Sequence, residues 1–263
     1  MGPGKYQITR RVALAGLAAM AGACSGEADL SEGERGRISR IMDGDALALD
    51  TGLRVRLAEI EAPAPGYDGR PDDPFALEAR AALERAALGR EARLWYGGLS
   101  RDSYDRAIAH VIAHDEIGSE VWLNGLVARQ GLGRVRSYPD NSVRARKLLA
   151  FESEARAAKR GLWAESHWRV RTLDDLQGAP YFAIVEGEIS ELGDIPGDGE
   201  AHLSARGIRL DVGERLGEPD VHVAAGARVR LRGRIDTRPV AKGADPLIRI
   251  TTGRRWNWSR LTE

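Results

Sequence analysis

Cysteine is almost missing from this chain. Cys24 is the only one among 263 residues, so neither a disulfide framework nor a cysteine-ligated zinc site can form. Lysine is scarce as well, with Lys5, Lys147, Lys159 and Lys242 set against 35 arginines. We read that imbalance as genome base composition rather than selection for phosphate-gripping guanidinium forks. No apolar run approaches the roughly 20 residues of a membrane span, and no segment reads as a transmembrane helix. Net charge is lacking too: Lys+Arg and Asp+Glu are 39 each, which gives no global pull on nucleic acid. What is present, 30% charged and 43% hydrophobic residues, is the balance of a soluble globular protein of one large domain or two ordinary ones.

Residues 1–23 read as an export signal rather than as part of the fold. Lys5, Arg10 and Arg11 precede an uncharged, Ala- and Gly-rich stretch from Val12 to Ala23, which is too short to span a bilayer. Thr9-Arg10-Arg11-Val12-Ala13-Leu14 resembles a twin-arginine signal, with an ordinary secretory signal as the alternative. Ala21-Gly22-Ala23 before Cys24 looks like a lipobox, although Ala21 stands where leucine is usual, and it also fits an Ala-x-Ala cleavage site. A free thiol in an oxidising compartment is a liability, so a lipid on Cys24 is the favoured reading. The expectation is an exported protein, periplasmic or anchored as a lipoprotein facing the periplasm, with residues 24–35 as a flexible tether.

Two halves follow, expected at 36–168 and 175–263. In the first, Leu47/Leu49 and Leu53/Val55/Leu57 alternate with smaller or polar residues around Asp50-Thr51-Gly52, the pattern of a β-hairpin. Asp73-Pro74 predicts a helix start and Gly89 its end. Leu94–Tyr96 and Ala107–Ala113 read as strands, and Ser119–Gln130 as a short helix. A longer helix, capped by Asn141 or Ser142, reaches Arg160 before Gly161. In the second half helical periodicity disappears. Ala227, Val229, Leu231 and Ile235 alternate with Arg228, Arg230, Arg232 and Arg234, and five short strands suggest a second small all-β barrel of the OB type.

The chemistry collects in the first half. Asp43-Gly44-Asp45 puts two carboxylates around a glycine, a pattern that alone is usually just a turn. The strand Leu53–Leu57 carries Arg54 and Arg56 opposite its apolar residues and runs into Glu59, Glu61 and Ala62-Pro63. Arg101-Asp102-Ser103-Tyr104-Asp105-Arg106 supplies another arginine before a strand. Carboxylates with two arginines are the minimal kit for phosphodiester hydrolysis: hard oxygens hold calcium, and guanidinium forks neutralise charge building on phosphorus.

These residues, with Gln130-Gly131-Leu132 and Glu154-Ala155-Arg156 through Gly161-Leu162-Trp163, resemble the thermonuclease family, typified by staphylococcal nuclease, over about residues 36–164. The resemblance implies an OB-fold β-barrel with helices (α+β). It also implies calcium held by Asp45, Glu61 and the carbonyl of Ala62 with Asp43 beside it, and a scissile phosphate bound by Arg56 and Arg106. Single-stranded DNA or RNA is the implied partner, with Tyr138 as a candidate base-stacking residue, and the chain reads as a monomer.

The departures are in the strand that ends the site. Where the family has Gly, Asp and a final Glu, this chain has Glu59, Glu61 and Ala64. Ala64 takes the position of the general base and has no proton acceptor, a loss that commonly slows such chemistry by ~10²–10⁴-fold. Glu59 and Asp68 are the nearest acids in sequence that could substitute. The alternative function is a non-catalytic envelope module that binds nucleic acid, nucleotide or a partner protein. His110 and His114, on a strand with no third ligand, do not read as a metal site. The arginine stripe 228–234 reads as a solvated strand face, and Trp163, Trp168, Trp256 and Trp258 as packing anchors. Arg134, Arg136, Arg144 and Arg146 would widen a positive rim around the cleft.

Overall fold

The computed structural model describes residues 30–114, 117–138, 140–172, 175–176, 178–188 and 226–236, with shorter strands at 191–192, 202–205, 208–211, 247–249 and 258–260. The expected export signal, Cys24 and Trp256 lie outside the described residues. The first half contains β1 (Ser31–Ile41), β2 (Ala46–Leu49), β3 (Arg54–Leu57), β4 (Ile60–Glu61), α1 (Ala76–Ala87), β5 (Glu91–Tyr96), β6 (Ala107–His114), β7 (Glu120–Trp122), α2 (Leu123–Gln130), β8 (Arg134–Val135) and α3 (Ala145–Ala157).

Five of these strands close into a barrel in the order β3-β2-β1-β5-β6, and the parallel pair β3–β6 makes the seam. With its three helices this is the expected OB-type α+β barrel. Period-2 patterning is why it forms: Ile38, Leu47, Leu49, Val55, Leu57, Leu94 and Val111 all turn inward and are at most 1% exposed. The hairpin at Asp50-Thr51-Gly52 is as expected, with Gly52 at φ 86° donating its N–H to Leu49, a conformation that costs glycine nothing. Among the buried polar side chains, Asn124 serves the backbone directly. Asn124 on α2 accepts the Val111 N–H (2.9 Å) and donates to the Ala58 carbonyl (2.8 Å), satisfying backbone groups that burial would otherwise orphan.

Four elements depart from expectation. Strand β1 starts at Ser31, inside the expected tether, because Ser31, Glu32 and Arg35 pair with Tyr96, Trp95 and Arg93 of β5. The polar composition that suggested a tether belongs to a solvent-facing strand, on which Glu34 binds both the Tyr96 hydroxyl and Arg101. The segment Ser119–Gln130 is split. Val121 and Trp122 extend the sheet as β7 beside Ala113 and Ile112, and the helix begins only at Leu123. Helix α1 starts at Ala76 after Phe75 at φ 76°, with no side-chain cap; Asp73 instead accepts the Ala64 N–H (3.0 Å). Helix α3 likewise starts later than expected, at Ala145 rather than at an Asn141 or Ser142 cap, and ends at Ala157.

The second half contains β9 (Arg171–Thr172), β10 (Phe182–Glu188), β11 (Glu191–Leu192), β12 (His202–Ala205), β13 (Ile208–Asp211), β14 (Arg228–Asp236), β15 (Leu247–Arg249) and β16 (Trp258–Arg260). It is all-β as expected, one mixed sheet in the order β11-β12-β13-β15-β14-β10-β9, with β16 also on β14. Among the described residues these pairings run from β11 to β9 without a closing pair. The two-stranded ribbon β4–β8 stands apart from both sheets.

The arginine stripe of β14 is not a solvated face. Arg228 is exposed, but Arg232 is buried and reaches across to α3, where its two terminal nitrogens meet Glu152 at 2.9 and 2.6 Å. Glu152, fully buried, also accepts the Val135 N–H (2.7 Å). Arg134 donates to the Phe182 carbonyl and lies 4.3 Å from the Trp168 ring, while Trp168 donates to the Pro74 carbonyl (2.8 Å). Trp163 and Trp168 are buried anchors, and the two halves meet through these charged and aromatic groups. Glu152→Ala, which strands Arg232 and the Val135 N–H, is expected to destabilise the protein by about 3–5 kcal/mol. A combined Glu152→Leu/Arg232→Met replacement should recover most of that loss. Urea unfolding of the full chain followed by far-UV circular dichroism reads both.

Candidate active site

Strands β2, β3 and β4, with the residue that follows β8, bring a carboxylate cluster together with Arg56 and Arg136. The Asp43-Gly44-Asp45 turn leads into β2. Gly44 is required there by closeness alone, since a Cβ would sit 2.8 Å from Ala62 and 2.9 Å from Ala79. That approach lets Asp45 accept the Ala62 N–H at 2.8 Å, while Asp43 accepts the Asp45 N–H at 2.9 Å. Arg56, on β3 opposite Ala46, places one terminal nitrogen 3.4 Å from Asp45 Oδ2 and 2.6 Å from Glu61 Oε2. The same Glu61 oxygen receives Arg136 at 2.9 Å.

Electrostatics follow from burial and from that shared cation. Burial pushes the Asp45 carboxyl up to about 7, against the pull of Arg56 and with repulsion from Asp43 and Glu61 added. Asp45 raises Arg56 most strongly, outweighing desolvation, so Arg56 stays charged. Burial works to raise Glu61, but Arg56, Arg136 and Arg134 outweigh it and hold Glu61 below the usual carboxylate range. Glu61 is thus an anion clamped between guanidinium groups.

The structure brings together Asp43, Asp45, Arg56, Glu61 and Ala62, and adds Arg136 as an inner member rather than a rim charge. Tyr138 borders the cluster, 36% exposed, with the Arg136 guanidinium 5.2 Å from its ring. Arg106 is placed differently. It precedes β6 at the seam, where Ile108 pairs with Arg56, but its guanidinium is tied to Asp102 (2.7 Å) and lies 5.5 Å from the Tyr104 ring.

The two substitute acids are not at hand. Glu59 sits at φ 62°, a left-handed conformation that favours the glycine the family carries there. Its carboxylate turns into the core, 3.2 Å from His110 Nε2, and accepts the Arg144 N–H at 2.8 Å. Asp68 is in an exposed loop at φ 52°. The carboxylate that does reach position 64 is Asp73, which accepts the Ala64 N–H and donates its own N–H to the Ala64 carbonyl (2.9 Å). Nine residues separate the two, and no spacing rule in the sequence marks them as neighbours. His110 stacks at 5.7 Å on Trp122 rather than meeting further ligands.

The donor set also bears on the calcium that the resemblance implies. One Arg56 nitrogen occupies the position between Asp45 and Glu61 and supplies their counter-charge. Among the described residues no group of three or more His, Cys, Asp or Glu side chains could hold a metal ion. As arranged, these residues do not fit a calcium cage, for which six to eight oxygens are usual.

Comparison with known proteins gives a class for this barrel and its cluster of arginines and buried acids. The family model for staphylococcal nuclease homologues matches residues 54–165, and that segment is a staphylococcal nuclease-like domain. The thermonuclease of Staphylococcus intermedius is 27% identical over 134 residues, covering 50% of this chain and 77% of that protein. The probable endonuclease LCL3 of Saccharomyces cerevisiae is 33% identical over 119 residues, covering 43% of this chain and 42% of that protein. The thermonuclease of Staphylococcus hyicus is 24% identical over 131 residues, covering 49% and 75%.

Removal of Arg56 would leave Asp45 and Glu61 facing each other without their shared cation. Arg56→Ala is expected to destabilise the protein by about 2–3 kcal/mol. Arg106→Ala, which breaks a pair with its sequence neighbour Asp102, should cost less than about 1 kcal/mol. Thermal unfolding of the two variants side by side checks the ranking.

Proposed function

We propose that the cleft of the nuclease-like domain binds nucleic-acid phosphodiesters and hydrolyses them slowly. The observation that carries this reading is Arg56. It is charged, held in place by Asp45 and Glu61, still 26% exposed at its side chain, and has Arg136 on the same Glu61 oxygen. Two guanidinium groups at one point are suited to a phosphate, which accepts their forks and draws them from the carboxylate. In hydrolysis water would attack phosphorus in line with the leaving 5′-oxygen. Arg56, and Arg106 once turned from Asp102, would then neutralise the charge that develops. The relatives' names, thermonuclease and probable endonuclease, support the same substrate class.

Ala64 is why the chemistry is expected to be slow. Asp73 lies against its backbone, yet that carboxylate is engaged by the Ala64 N–H. Calcium, which the resemblance implies, would first have to displace Arg56 from between Asp45 and Glu61. The second reading, a non-catalytic module for nucleic acid, nucleotide or a partner protein, rests on Ala64 alone.

Hydrolysis of single-stranded DNA and RNA by the purified chain, with calcium or with chelator, separates the readings. Ala64→Glu is expected to cleave roughly 10²-fold faster than the wild type, and Arg56→Ala to abolish cleavage in both backgrounds. Binding without cleavage in every variant would favour the non-catalytic module.

Export and lipidation at Cys24 form part of the same proposal. They are supported by the signal-like residues 1–23 and by the short distance to the fold. Six residues, 25–30, separate Cys24 from β1, and they span at most roughly 20 Å. An anchored domain would therefore ride against the membrane surface. Metabolic labelling with an alkynyl fatty acid should mark the wild type and leave Cys24→Ser unmarked.

A further inference from the structure

The cleft does not end at the nuclease-like domain. Arg136 lies 5.2 Å from the Tyr138 ring and also 5.2 Å from the ring of Phe182 on β10, so the second half of the chain abuts the site at this guanidinium. Phe182 is 1% exposed, whereas its predecessor Tyr181 is 54% exposed. Tyr181 is nevertheless well placed: its carbonyl accepts the Ile235 N–H of β14 at 2.8 Å, and Arg234 stands 4.6 Å from the centre of its ring. Burial raises the Tyr138 hydroxyl, and Tyr181 adds to the effect, so the two phenols are within electrostatic reach of each other. The Arg234 Nε is buried and finds no acceptor among the described residues.

From this we infer that Tyr181 and Arg234 form a base-stacking subsite, contributed by the C-terminal sheet, for a single strand of nucleic acid whose phosphate lies at Arg56 and Arg136. An exposed aromatic ring backed by a guanidinium is the platform on which unpaired bases stack in sequence-tolerant binding. The positive charge of Arg234 beside the ring suits the backbone of the same strand. Tyr138 stands beside Arg136, so the proposed path of the strand runs from the guanidinium pair past Tyr138 to Tyr181. The occupant is single-stranded because a duplex would hide the faces that the rings need. This inference rests on the phosphate-binding reading of Arg56, since the subsite extends that site.

The test compares the full chain with its variants by fluorescence anisotropy, using a phosphorothioate-linked dT8 as the long probe and thymidine 5′-monophosphate as a competing short ligand. In Tyr181→Ala the ratio of dT8 to monophosphate affinity is expected to fall about tenfold. Tyr181→Phe, which keeps the ring, should hold the wild-type ratio. Arg56→Ala should weaken both ligands together. An unchanged ratio in Tyr181→Ala, with Arg56→Ala weakened, overturns the subsite and leaves the phosphate site standing. Loss in Tyr181→Phe equal to that in Tyr181→Ala overturns stacking as the cause. Unchanged binding of both ligands by Arg56→Ala overturns the phosphate reading, and with it the extension. Photocrosslinking of a dT8 carrying one 5-iodouracil, with the adduct mapped to Tyr181, would place the base on the ring independently of affinity.

Discussion

The carboxylate of Glu152 is the point on which the rest of the molecule turns. It is fully buried on α3, where a lone negative charge would cost several kcal/mol, and its nearest counter-charge is Arg232 of β14, from outside its own domain, with Arg156 of the same helix at 3.7 Å. Its remaining capacity goes to the Val135 N–H, which fixes β8. Because β8 pairs with β4, Val135 opposite Ile60 and Arg134 opposite Glu61, that one carboxylate sets the height at which Glu61 and Arg136 meet. The same bond that docks the C-terminal sheet therefore also aligns the cleft. The two halves are best regarded as sharing one charge balance rather than as beads on a string.

Within the cleft the governing fact is an excess of acids in a small, partly buried volume. Asp43 and Glu61 lie close enough to oppose the ionisation of Asp45, and Arg56 resolves the conflict by standing between Asp45 and Glu61. The guanidinium that would meet a phosphate is thus also what keeps the empty cleft folded. Such double duty is common where function requires charge to be held away from water, and it explains why Arg56 and Arg106 are not equivalent. Arg56 has buried acids that hold it, while Arg106 is held by its near neighbours Asp102 and Tyr104.

Much of the barrel was legible in the sequence because strand alternation reports which residues share a face. The hairpin at Asp50–Gly52 and the inward row of Val55 and Leu57 needed nothing else. The Asp43, Asp45, Arg56, Glu61 cluster was legible through resemblance, since spacing alone makes Asp-Gly-Asp a turn. What escaped were contacts between distant residues. Glu59 looked like a spare base near position 64, but its partners His110 and the Arg144 amide, far along the chain, draw it inward. The stripe at 228–234 showed correctly which side of β14 is polar, yet alternation does not say what covers a face, and α3 covers Arg232. Strand β7 was hidden for the opposite reason: three residues are too few to display a period, and the helix beside them claimed the segment. The expected tether failed at Ser31 because a charged strand on a solvent face has the composition of a linker.

The seam of the barrel carries a consequence for how the cleft comes into being. Strand β3 reaches β6 only across the span from Val55 to Ala107, a long-range parallel pairing of the kind that forms slowly and late. Arg56 sits in that seam, and its second acid depends on β8, later still in the chain. During synthesis the β2–β3 hairpin can bring Arg56 beside Asp45 early, whereas Glu61 gains its β8 neighbours only after residue 135 has been made. The full set of contacts around Glu61 is thus complete only once β8 has joined β4 and brought Arg136 to the same oxygen as Arg56.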